Sequence, residues 1–380
     1  MNLLTSYDWY QRRHCVPRIA FLFLFMLAAF AKKSDAQDNV VIPPGPICGR
    51  CVLKLQHMAT LGSRDGPGAL SGQIASIARD SGGRIYVVDY LRDSEIIVYD
   101  RSGRFVRTIG REGHGPGEYT SIGSLHITVD DTIHVFDFGN ARHTILSPDG
   151  AFVRSHVFPG LVTQSTTTRS GVTVVGARIG TPERFGLPLH ALLADGDSII
   201  SFGSESPVVR PDMRYLQERR ISPSDGDRVW SAYESQYLIE LWDVSGTKVK
   251  GFYRSVDWFP PYPVHHTITP DNAPYPVLAA IREGGGGRLW VATSVADLDW
   301  RDALGELTEG PEGPYYPVED YSRLLDTMIE IIDPASGRLV LSQRISQMVV
   351  AILNGDTVVS YRTDVDGVPF LDVWGVSVHQ

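Results

Sequence analysis

The chain has 380 residues, 43% of them hydrophobic and 10% aromatic, enough for a sizeable packed core, and its 37 Gly and 24 Pro supply turns rather than disorder. Its formal net charge is −9, with no basic cluster, which argues against a nucleic-acid partner, because that binding rests on neutralising phosphates with Lys and Arg. Length alone would allow two or three domains, but all-β chains of this size often form one closed body.

Residues 1–36 read as a signal peptide. Arg12, Arg13 and Arg18 precede thirteen apolar residues, 19–31, and either Ala29-Phe30-Ala31 or Ser34-Asp35-Ala36 suits a signal peptidase. A bilayer span needs about 20 apolar residues, so the expectation is an exported protein, periplasmic or extracellular, with no membrane span in the mature chain. Cleavage after Ala36 removes five basic and two acidic residues and takes the charge from −9 to −12. Residues 37–51 follow as a linker carrying Cys48 and Cys51. Zinc needs four ligands and no second Cys pair exists, so in an oxidising compartment a local disulfide is favoured over a redox-active pair.

From residue 74 a four-stranded unit begins. Strands at 74–78, 84–89, 95–100 and 105–109 are separated by Asp80-Ser81-Gly82-Gly83 and Asp100-Arg101-Ser102-Gly103, which are turn signals. The unit recurs. Ile85-Tyr86-Val87-Val88-Asp89 returns 48 residues later as Ile133-His134-Val135-Phe136-Asp137, within the range of propeller repeats. A weaker third unit spans about 162–203, with its turn at Asp195-Gly196-Asp197. A fourth contains Arg228-Val229-Trp230-Ser231-Ala232, and a fifth contains Gly287-Arg288-Leu289-Trp290-Val291-Ala292. The sixth has only three strands, at 348–353, 357–361 and 370–378. Its fourth is at the other end of the chain, because Ala59-Thr60-Leu61-Gly62 repeats Arg107-Thr108-Ile109-Gly110.

The predicted fold is therefore all-β, a six-bladed β-propeller of four-stranded blades over residues 52–380, its last blade closed by the N-terminal strand. Closure removes the unpaired edges an open array would leave. It should bury Leu53, Leu55, Met58 and Leu61 in part. Deleting 37–45 should be tolerated; deleting through Leu61 should not.

The repeat, with Gly110 to Glu118 as GREGHGPGE and with Trp258-Phe259-Pro260-Pro261, resembles the NHL-repeat class of six-bladed β-propellers, and more narrowly exported bacterial propellers that share both elements. The resemblance covers about residues 52–378. It implies a fold and an exported setting, since that family has no agreed activity.

Sorting the links by rim gives an asymmetry. Links between strands one and two, and three and four, are uniformly short turns; those between strands two and three, and between blades, hold every long segment, the largest at 294–326. Long structured insertions on a rigid scaffold usually carry binding. The candidate binding residues on that side are His114, Trp258, Phe259, His265, His266, Trp300, Arg301, Tyr315 and Tyr316. Aromatic and Arg enrichment suits recognition, although Trp258 and Phe259 read first as an apolar plug in the passage from the fourth blade to the fifth, with ligand stacking as the alternative. Asp residues in the short turns are expected to accept backbone hydrogen bonds rather than hold metal.

The expected function is a monomeric binding or scaffold module with a protein, peptide or glycan partner on the loop-rich face, no catalytic residues and no cofactor. The alternative is a metal-dependent hydrolase or lyase resembling six-bladed lactonases and amidating lyases, with its metal in the central channel. The innermost strands offer Ser76, His126, Thr166 and Arg282, a poor ligand set for that.

Overall fold

Short apolar runs broken by Asp-Gly turns pair with their neighbours in sequence, so each group of four strands becomes one antiparallel sheet. The computed structural model describes residues 39–184, 186–193, 198–203, 218–262, 267–310, 313–354 and 356–380. The expected signal peptide and the Asp195-Gly196-Asp197 turn lie outside them.

Blade 1 comprises Ile74–Arg79, Ile85–Asp89, Ile96–Tyr99 and Phe105–Ile109; blade 2 comprises Ile122–Ile127, Ile133–Asp137, Arg142–Leu146 and Phe152–Val157. Blade 3 is Gly160–Thr167, Thr173–Ile179, Leu189–Leu192 and Ile199–Phe202; blade 4 is Arg219–Pro223, Arg228–Tyr233, Leu238–Asp243 and Lys248–Tyr253. Blade 5 is Val277–Glu283, Leu289–Ala296, Leu325–Asp333 and Arg338–Ile345. Blade 6 is Met348–Asn354, Thr357–Thr363 and Pro369–His379, completed by Val52–Leu61 from the other end of the chain. The innermost strands touch in the order 1, 2, 3, 4, 5, 6 and back to 1, so the ring is closed.

The core is six wedges, one between each pair of blades. In the second strand of blade 1 every residue from Ile85 to Asp89 is buried. Ile85 and Val87 pack toward blade 6 with Leu61 and Val373, while Tyr86 and Val88 pack toward blade 2 with Leu125 and Val135. A period of two with both faces covered is what turns this strand into a near-continuous apolar run. Trp230 fills the equivalent place between blades 4 and 5, and Trp290 between blades 5 and 6.

At the seam, Leu53 and Leu61 are buried and Leu55 is half-buried, as alternation requires. Met58 is the exception. The ladder skips between His57 and Ala59, leaving Met58 as the extra residue of a bulge, 51% exposed, while Ala59 turns inward.

The stretch ahead of the seam is a strap. Val40 and Val41 lie parallel to Phe252 and Tyr253 on the outer edge of blade 4, and Ile42 is buried in the wedge between blades 4 and 5. Arg254 donates to the Pro44 carbonyl at 2.9 Å, and the Ile47 and Cys48 amides donate to Leu339 and Val340 of blade 5 at 2.9 and 3.3 Å. Cys48 and Cys51 are joined in a disulfide with their Cα atoms 5.4 Å apart. Removing residues 37–45 would expose Ile42's wedge and strip Arg254 of a partner, so that truncation should fold but at a lower stability than sequence alone suggests.

Candidate functional site

The two rims differ in what holds them. On the short-turn rim several carboxylates are spent on backbone amides, while Asp225 pairs with Arg169 and Asp227 accepts from the Thr168 hydroxyl. Asp80 accepts the Arg84 amide at 2.8 Å and the Tyr86 hydroxyl at 3.1 Å, Asp100 accepts the Ser102 and Arg104 amides at 2.8 and 3.0 Å, and Asp333 accepts the Ala335 amide at 3.0 Å. Gly103 closes its turn at φ +87°, where a Cβ would come within 2.2 Å of the Thr60 carbonyl oxygen at the seam.

On the loop-rich rim the largest insertion, between the second and third strands of blade 5, folds on a small core of its own. A 3-10 turn at Trp300–Ala303, a hairpin of Thr308–Gly310 with Gly313–Tyr315, and a single helical turn at Tyr321–Leu324 surround Trp300, Ala303 and Leu324, all buried. Asp320 caps the helical turn by accepting the Ser322 amide at 2.9 Å. Ile268, from the passage between blades 4 and 5, packs on the same core, and Arg301 ties the two segments by donating to the Pro270 carbonyl at 2.7 Å with its guanidinium 4.6 Å above the Trp300 ring.

The residues singled out by sequence divide accordingly. Trp300 is only 5% exposed and Phe259 only 2%, so they anchor the rim and present no face to a ligand. Phe259 packs with Tyr237, Tyr262 and Ile42. Trp258 is half-buried beside it, its ring 6.0 Å from the Arg254 guanidinium, which pairs with buried Glu330. The aromatic plug therefore roofs a buried ion pair joining blades 4 and 5. Arg301 and Tyr315 are exposed and Tyr316 is half-exposed. His265 and His266 lie outside the described residues.

His114 is exposed at the tip of its loop, with Nδ1 2.5 Å from Asn140 Oδ1. That loop is clamped from blade 2, where Arg142 donates to the carbonyls of His114, Gly115 and Glu118 at 3.3, 3.4 and 3.3 Å. Glu118 turns back into the loop to accept the Gly115 amide at 2.8 Å, and its contacts with Arg111 first and the loop amides second hold its carboxyl below the usual range. A carboxylate thus occupies the space where a phosphate cradle would need an anion.

The sequence singled out Tyr315 but not most of the apolar tips. Among the described residues eight large hydrophobic side chains stand exposed in links of the loop-rich rim: Tyr90 and Leu91 on blade 1, Phe138 on blade 2, Leu298, Leu307, Tyr315 and Tyr321 on blade 5, and Val365 on blade 6. Among the described residues only Val129 does so in a link of the opposite rim. A signal existed. Tyr90 and Phe138 each directly follow the Asp that ends a second strand, and Asp89 and Asp137 are buried acceptors for the amides of Leu91 and Asn140 at 3.2 and 3.3 Å, so the next side chain is thrown outward.

Through the middle of the ring runs a channel of about 960 Å³, lined by the innermost strands. His126 faces it with both ring nitrogens engaged, Nδ1 to Ser165 Oγ at 2.9 Å and Nε2 to Thr167 Oγ1 at 2.6 Å. Burial first, then His134, His143 and Arg282, push it well below the ordinary imidazole range. His134 is 4.6 Å from it between ring centroids, and His143 follows at 5.0 Å. Among the described residues no three His, Cys, Asp or Glu side chains gather where a metal ion could sit. The channel's Ser76, His126, Thr166 and Arg282 do not fit a cation, since the imidazole is committed and the guanidinium repels one.

Comparison with known proteins agrees with this architecture. Residues 69–150, essentially blades 1 and 2, match the DUF5128 family, described as a 6-bladed beta-propeller. No curated protein matches the chain by sequence. Among solved structures, a Bacteroides fragilis protein whose name describes it as exported superposes with a TM-score of 0.54 at 13% identity, covering 90% of this chain and 100% of that one. A DUF4221-family member from Bacteroides vulgatus gives 0.56 at 8% identity, over 86% and 99% of the two chains. A virginiamycin B lyase from Staphylococcus aureus gives 0.45 at 11% identity, over 86% and 99%, too loose a fit to bear on chemistry. Among the described residues no helix is long and apolar enough to cross a membrane. With all six blades built on one plan, the chain is a six-bladed β-propeller, and its residues 69–150 match the DUF5128 family of that fold.

Proposed function

We propose that the protein is an exported binding or scaffold module, periplasmic or extracellular, that takes its partner on the loop-rich rim. The observation that carries this reading is the distribution of exposed apolar side chains, eight in the links of one rim against one in those of the other among the described residues. Single exposed apolar residues need no explanation, but their concentration on one face of a scaffold does. The mixture favours a protein or peptide over a glycan, because aliphatic Leu91, Leu298, Leu307 and Val365 offer little to sugar rings, which stack on aromatic faces. Export is supported by the leader at 1–36. No observation favours the metal-dependent alternative.

The test replaces Leu298, Arg301, Tyr315 and Tyr321 together with Ser and compares capture from an envelope extract with the unaltered protein. Capture should be lost with the melting temperature kept, and a Val129→Ser control on the opposite rim should capture normally. Equal capture by the four-fold variant overturns the reading.

A further inference from the structure

The channel holds a cation with no counter-charge. Five arginines line it, Arg79, Arg154, Arg169, Arg220 and Arg282, against a single acid, Asp130, in a chain whose formal charge is −9. Arg169 is paired with Asp225 at 3.1 Å and Arg220 with Glu234 at 2.6 Å, while Arg79 donates to the Thr357 hydroxyl at 3.3 Å. Among the described residues Arg154 has no partner either but lies exposed to solvent, whereas Arg282, on the innermost strand of blade 5, is half-buried. Among the described residues no carboxylate, carbonyl or hydroxyl meets its guanidinium, and burial is the one influence on its pKa, drawing it below the ordinary guanidinium range with no acceptor to push it back.

Its position is fixed by register. Arg282 pairs across its ladder with Trp290, and His126 pairs with His134, the same place in the repeat, so Arg282 and His126 share one level of the ring on blades three apart. The Arg282 charge is among the influences that keep His126 neutral. The guanidinium therefore looks into a cavity whose far wall at that level is imidazole with the hydroxyls of Ser165 and Thr167. An unpaired charge inside protein is costly unless something completes it. A guanidinium fork is matched by the two oxygens of a carboxylate or phosphate.

We propose that the central channel is a binding site for a small molecule bearing a carboxylate or phosphate, its oxyanion on the Arg282 fork and its body toward the polar wall of blades 2 and 3. The site is independent of the rim and stands or falls apart from it. A scarcity of acids that is poor design for a metal is good design for an anion.

The experiment is calorimetric titration of the signal-free chain, in low-chloride buffer, with sodium phosphate in one arm and sodium acetate in the other. Saturable one-site binding is expected in at least one arm, and the arm that saturates identifies the oxyanion. Arg282→Met should weaken it at least tenfold while leaving the unliganded melting temperature unchanged or higher, because an uncompensated charge has been removed. Arg282→Lys, which keeps charge and stem, covers the case in which the Met variant does not fold and should also bind more weakly for want of the fork. Absence of binding in both arms, or wild-type affinity in either variant, overturns the assignment.

Discussion

The two rims of the ring are built from the same repeat and obey opposite rules. On the short-turn rim Asp80, Asp100 and Asp333 are spent on backbone amides and Gly103 has no room for a methyl group, so sequence there serves the ladder. On the loop-rich rim the chain first builds a small core under the insertion, around Trp300, and only then presents Leu298, Tyr315 and Tyr321 to solvent. Length of a loop is thus not what makes it a recognition surface. A long link needs its own anchors before it can hold anything out.

Both rims hang on one seam, and breaking it should have the largest effect. Removing residues 37–61 deletes the outer strand of blade 6 together with the strap and should give aggregated protein with no cooperative melt. Removing 37–45 alone should leave a folded ring that melts lower, since burying Ile42 contributes about 1.5–3 kcal/mol. Equal melting curves for the two truncations would contradict the seam.

Acid should come next, and it should act on both rims together because the sensitive groups lie inside blades 2 and 3. Burial pushes His134 and His190 down to about 4 and His143 to about 3, from an ordinary 6.5. The unfolded chain therefore takes up protons that the folded one refuses. Their contribution to stability is full above pH 6.5 and drains away as the pH falls from 6.5 toward these values, at about 1.4 kcal/mol per ring per unit. Denaturant midpoints measured from pH 7.5 to 4.5 should fall steeply below 6.5, and a flat profile would mean the rings are not held neutral.

Single substitutions then separate the rims. Trp300→Ala should remove about 3–5 kcal/mol, but from the insertion's own core, so amide exchange should quicken across 298–324 while the ring keeps its melting temperature. Gly103→Ala should cost about 1–3 kcal/mol for its left-handed backbone, with the clash at Thr60 added, and lower the melting temperature of the whole molecule. A global effect from the first or a local one from the second would erase the distinction. Smallest of all, the Ser substitutions of exposed rim residues should change stability by no more than about 0.5 kcal/mol each.

The ring was legible because second strands are buried on both faces and therefore spell nearly the same apolar run each time, from Ile85-Tyr86-Val87-Val88 to Leu289-Trp290-Val291-Ala292. The seam was legible from a different mark, Ala59-Thr60-Leu61-Gly62, which repeats the end of blade 1's outermost strand at Arg107-Thr108-Ile109-Gly110. Three residues, Val40 to Ile42, are too short a run to announce a strap, and Met58 looked inward because a bulge leaves no mark on hydrophobicity. Aromatics in a proline-rich link are ambiguous in kind. Phe259 and Trp300 turned out to be anchors, and only packing distinguishes an anchor from a contact. Arg282 was visible as a residue type on an inner strand, but its lack of a partner is a property of the assembled channel and of no segment of sequence.

The order of the seam's two halves has a temporal side. Val52–Leu61 leaves the ribosome first and its mate, Pro369–His379, last, so five blades can form before the sixth has anything to close on. Until then the early strand and the late sheet edge are both unpaired, and in a crowded compartment one molecule's early strand could complete another's final sheet. The Cys48–Cys51 loop, needing only four residues to form, can be finished long before either event.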